Sequence, residues 1–101
     1  EAEQLYREAL GKARRVFGEN SEPAIDLELM LLAHLINQHH LTRAEPEARS
    51  LLGRLERVMG AANERTIQCL SMLANCLQLQ GRRGEAELLG WRALSLRREL
   101  R

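Results

Sequence analysis

Gln68, Ser71, Asn75, Gln78 and Leu79 are spaced i, i+3, i+7, i+10 and i+11, the spacing of one helix face. Leu27, Met30, His34, Asn37 and Gln38 repeat that spacing earlier in the chain. A carboxamide both donates and accepts hydrogen bonds, so Asn37, Gln38, Asn75 and Gln78 could pair with both groups of an extended peptide backbone. Neither row carries a Lys or Arg that would grip a carboxylate or an acidic motif. Two readings stand. Met30, His34, Asn37, Gln38, Gln68, Ser71, Asn75, Gln78 and Leu79 line a peptide-binding wall, or they form a solvated polar face.

Other reactive side chains fall into poorer patterns. His34, His39 and His40 lack the i, i+4 pairing of a helical metal site, and no thiol or carboxylate lies close to them in sequence, so no metal is expected. Cys69 and Cys76, seven residues apart on one helix, would have Cα atoms about 10 Å apart, too far for a disulfide. They read as small buried hydrophobes, which suits a reducing, cytoplasmic setting. Ser21, Ser50, Ser71 and Ser95 have capping, surface or packing explanations. With no nucleophile–base pair, paired carboxylates or Gly-rich phosphate loop, neither an enzyme nor a cofactor is expected.

The elements that would hold these rows show a repeat. Leu29-x2-Leu32-Ala33-x2-Ile36 recurs as Leu70-x2-Leu73-Ala74-x2-Leu77, 41 residues on, and each is followed by a segment that recurs every 42 residues. Five helices are expected. The first spans about 2–17 and stops at Gly18. The second opens at Asn20 or Ser21 with Pro23 in its first turn. Thr42-x-x-Glu45 reads as a capping box for the third, which runs to Met59-Gly60. Asn63 caps the fourth, Gly81 stops it, and the fifth starts near Gly84. The pairs Ala2-Glu3, Ala44-Glu45 and Ala86-Glu87 hold the 42-residue register, and their alanines mark close helix approaches. Helix pairs of this length cannot bury their apolar faces alone and must stack.

The pattern resembles the tetratricopeptide repeat, in the 42-residue form of kinesin light chains. Leu70-x2-Leu73-Ala74-x2-Leu77 with Gly81, Ala86 and Ala93 is the best unit, and Ala2-x3-Tyr6-x2-Ala9 matches the second half of the motif. Leu or Ile replaces the family's aromatics at positions 29, 36, 70 and 77. Gly90 stands where a wedge such as Tyr6 belongs, and His40 replaces the turn Gly, in the left-handed region that His tolerates. The resemblance implies an all-α solenoid of antiparallel helix pairs with a right-handed superhelix. It divides residues 1–101, one repeat domain, into a half repeat 1–19 and repeats 20–60 and 61–101. It also implies that the first helix of each pair lines a concave wall, where Asn75 takes the place of a peptide-clamping Asn.

Composition agrees with an all-helical chain: Ala, Leu, Glu, Gln and Arg dominate, and β-branched residues are few. A net charge of +1 with interleaved signs argues against a nucleic-acid surface, and no apolar run approaches the length of a membrane span. The chain begins at Glu1 within a helical pattern, as a piece of a longer protein would. Leu88 and Trp91 fall off the inward stripe of the fifth helix (Ala86, Leu89, Ala93, Leu96, Leu100) and make a candidate interface, for a following repeat, self-association or docking. The expected role is a protein–protein interaction scaffold holding a partner peptide or helix in its concave groove. The alternative is a structural spacer, or a peptide-sensing regulatory segment of a larger signalling or transcription-regulating protein.

Overall fold

Gly18, Gly60 and Gly81 have φ of 102°, 86° and 83°, and each lies just past a helix end. The computed structural model describes residues 2–100. Between its turns run α1 (Ala2–Phe17), α2 (Glu22–Asn37), α3 (Leu41–Met59), α4 (Glu64–Leu79) and α5 (Arg83–Glu99), with no strand among the described residues. The all-helical architecture expected from the repeat is what the chain adopts, its helices packed in adjacent pairs. Two compact units meet at the His39–His40 bond.

The first unit is the antiparallel pair α1 and α2. Ser21 caps α2: its Oγ accepts from the Ala24 N–H (3.4 Å) and donates to the Gly18 carbonyl (2.8 Å). Leu10 and Ala13 of α1 are buried, as are Ile25, Leu29, Leu32 and Leu35 of α2. Arg14 reaches across to Glu28 (3.1 Å) and the Tyr6 ring tilts against His34. Leu5, Val16 and Phe17 remain exposed on α1.

The second unit is α3, α4 and α5, with α4 in the middle. One broad side of α4 is buried, through Ile67, Cys69, Leu70, Leu73, Cys76 and Leu77. Asn63 caps it by accepting the Arg65 N–H (2.9 Å), and buried Thr66 donates to the Gly60 carbonyl (2.8 Å). Both cysteines of α4 face α3. Cys69 Sγ lies 3.5 Å from the Ala48 carbonyl and Cys76 Sγ 3.5 Å from that of Leu41, contacts that a larger side chain would prevent. Both thiols are free. On α5, Ala86 and Ala93 are buried and Leu89 and Leu96 half-buried, whereas Leu100 lies past the helix and is exposed.

Two expectations at the α2–α3 turn need correction. Thr42 does not cap α3: the helix starts at Leu41, the cap position is His40, and no side chain caps it. The left-handed residue is His39 (φ 58°), not His40. The cause is a mismatch of periods. The apolar pattern repeats after 41 residues, but helix starts and ends repeat after 42 (Glu22 and Glu64, Asn37 and Leu79), so His39 is the counterpart of Gly81. Each of these three-residue turns passes through one left-handed residue straight into the next helix.

Candidate partner-binding face

On α4, Gln68, Asn75, Gln78 and Leu79 are exposed, and no intramolecular hydrogen bond engages the Asn75 or Gln78 carboxamide among the described residues. Ser71 is half-buried and its Oγ accepts from Arg97 Nη2 of α5 (3.3 Å), so its hydroxyl is partly committed. On α2, Met30, Asn37 and Gln38 are exposed, Gln38 occupying the position just past the helix end. His34 is half-buried with its ring centroid 5.7 Å from that of Tyr6, which makes it a packing residue of α1 and α2 as well as a member of the row.

The second unit adds a neighbour that spacing along one helix does not show. A shallow depression between α4 and α5 is lined by Ala74, Asn75 and Gln78 on one side and Glu87, Gly90, Trp91 and Leu94 on the other, with Ala86 on its floor. Trp91 (64% exposed) thus shares a surface with the α4 carboxamides, while Leu88 (72% exposed) is not among the lining residues. Leu94 and Glu87 also line the depression, which inspection of single helices misses. Their signal is the 42-residue register with Leu10 and Leu52, and with Glu3 and Glu45. It becomes visible only once the neighbours of each are known. Chemically the depression offers two hydrogen-bonding carboxamides, an indole, a leucine and one carboxylate: a mixed apolar and polar surface suited to protein.

Next to it, a charge network fixes the α4–α5 turn. Glu45 accepts from Gln80 Nε2 (3.1 Å), Arg82 Nη1 (2.8 Å) and Arg49, and Arg49 and Arg82 each reach Glu85 at 2.7 Å. Gln80 and then Arg49 hold the Glu45 carboxyl below its ordinary pKa; Arg49 does the same for Glu85. Burial pushes the Cys76 thiol up. Among the described residues no three His, Cys, Asp or Glu come together as a metal-binding group, and no helix is long and apolar enough to cross a membrane.

A family model described as the tetratricopeptide repeat matches residues 1–22 and 66–100, together more than half of the chain. The chain belongs to the tetratricopeptide repeat family. The match is to the kinesin light chain type of this repeat. No curated protein and no solved structure matches the chain. The matched stretches hold α1 and most of α4 with α5; the stretch between them holds all of α3 and nearly all of α2, where the apolar pattern slips by one residue against the helix boundaries. The tetratricopeptide repeat family supports a general role as a scaffold for protein–protein contact.

Proposed function

We propose that this chain is a non-enzymatic interaction module that holds a segment of a partner protein on α4 and the adjoining depression. Asn75 and Gln78 would pair with partner backbone or side-chain groups, while Trp91 and Leu94 would bury apolar anchors. The observation that carries this reading is the meeting of two uncommitted carboxamides and an exposed indole on one surface. Gln68, Ser71 and Leu79 extend the face along α4, and Met30, His34, Asn37 and Gln38 are assigned a like role on α2. Two free, buried thiols support a cytoplasmic setting, where cysteines stay reduced.

The test is crosslinked capture from a cell extract with the parent chain and with Asn75→Ala/Gln78→Ala, matched for helicity by circular dichroism. Loss of two hydrogen bonds, each worth about 0.5–1.5 kcal/mol net, should lower recovery of a specific partner by roughly tenfold. Equal recovery would place the working surface elsewhere, and self-association through Leu88 and Trp91 would then be tested by sedimentation.

A further inference from the structure

Ser95 is exposed on α5, with Arg92 three residues before it and Arg98 three residues after it, the spacing of neighbours on a helix surface. That exposure is a property of the repeat position. In the 42-residue register Ser95 is the counterpart of Gly53 on α3 and Gly11 on α1. A Cβ built at Gly11 would meet nothing within 4 Å. One built at Gly53, which has both α4 and α5 after it, would meet only the flexible tip of Arg57 (Nη1, 3.7 Å). The position therefore points outward even where further helices follow. Arg92 is committed elsewhere: its Nη2 donates to Glu56 Oε2 at 2.7 Å, a bond from α5 to α3. Among the described residues no hydrogen bond or ion pair engages the side chain of Ser95 or of Arg98.

We propose that Ser95 is a phosphate acceptor for an arginine-directed serine kinase, and that the phosphate draws Arg92 off Glu56. Such a kinase seats a guanidinium three residues before the acceptor in an acidic subsite, a charge pattern that selects its substrates. At that position Ser21, Thr42, Ser50, Thr66 and Ser71 have Gly18, His39, Glu47, Asn63 and Gln68; Ser95 alone has an arginine. Ser95 Oγ attacks the γ-phosphorus of ATP, its proton passes to the kinase base, and ADP leaves with the electrons of the broken P–O bond. The added group carries a charge of about −1.5 to −2 and three acceptor oxygens, one helical turn from Arg92 and from Arg98. Charge-assisted bonds to these arginines compete with the single carboxylate of Glu56. Glu99 lies one turn on and the negative end of α5 is close, so the phosphate also costs α5 stability as it takes Arg92. Both effects loosen α5 from α3. Kinases take the acceptor segment extended, so α5 has to open first. Of its side chains only Ala86 and Ala93 are buried, which keeps that opening within reach.

The test incubates the whole chain with an arginine-directed serine kinase, magnesium and ATP, and locates phosphate by mass spectrometry. One phosphate is expected, on Ser95, and none in Ser95→Ala or Arg92→Gln, each checked for helicity by circular dichroism. Gly90→Ala, which stiffens α5, should slow incorporation roughly threefold. Incorporation at another residue, or into Arg92→Gln as fast as into the parent, overturns the site. So does a chain that stays unlabelled while a peptide of residues 89–101 is labelled, since α5 then shields Ser95. A peptide that is not labelled either overturns it as well. Thermal melts test the fate of Arg92. Phosphorylation should lower Tm by roughly 2–4 °C in the parent. It should lower it by less in Glu56→Gln, which has already lost the ion pair to Arg92. An equal fall in both, or no fall in either, overturns the release of α5 from α3.

Discussion

Ala48 and Gly90 hold one position of the repeat in opposite surroundings, and substitutions there should move stability in opposite directions. Ala48 is fully buried with its carbonyl against Cys69, so Ala48→Leu overpacks the α3–α4 crossing and should cost about 1–3 kcal/mol. Gly90 lies inside an exposed helix with open space at its Cβ, so Gly90→Ala should add about 0.5–1 kcal/mol. Urea denaturation of the two variants measures both, and a neutral Ala48→Leu would mean that the crossing is looser than it looks. At this scale the sequence reads well where chemistry and burial agree. Two cysteines on one helix, too far apart to bridge, are small core residues at close approaches. It reads poorly where a side chain has a choice of partners. His34 belongs to the same row as Asn37, yet it packs on Tyr6, and nothing in its spacing announces that.

Helices and their turns depend on single backbone conformations. Gly81 (φ 83°) and His39 (φ 58°) turn the chain from α4 into α5 and from α2 into α3. A side chain in the left-handed region costs roughly 1–2 kcal/mol, so Gly81→Ala should destabilise by about 1 kcal/mol. His39→Gly should stabilise by a smaller amount, because glycine also frees the unfolded chain. Thermal melts of the pair check this, and equal effects would mean that another part of the turn dictates its path. Five helices were legible from apolar periodicity, and the caps Ser21 and Asn63 from residue type, because each depends on a few neighbouring residues. The start of α3 was not. Thr42-x-x-Glu45 has the right letters for a capping box, but a three-residue turn delivers the chain into helix before Thr42 is reached, and Glu45 is taken by Gln80 and Arg82. The depression was half legible. Asn75 and Gln78 appear on one helix and Trp91 on another, and only packing shows that they meet.

Within the second unit, charged side chains link one helix to another. Positions 3, 45 and 87 are all glutamate, and at Glu45 the residues just past α4 supply partners that knit α3 to the start of α5. This makes stability of the whole chain depend on pH in a definite direction. Hydrogen bonds from Gln80 and Arg49 depress the folded pKa of Glu45, and those from Arg49 that of Glu85, so the unfolded chain binds protons at a higher pH than the folded one. The network's contribution is then fully present above the ordinary carboxylate value of about 4.3 and is lost as pH falls through the lower folded values. Tm should be flat from pH 7 to 6 and decline below about pH 4.5. Because the groups are largely solvated, added salt should lower the plateau slightly by screening. Glu45→Gln removes the central acceptor: its Tm should lie below that of the parent at neutral pH and meet it near pH 3, where the parent network is also gone. Parallel curves over the whole range would show that Glu45 acts through packing alone and would remove the network from the account of how α5 is held.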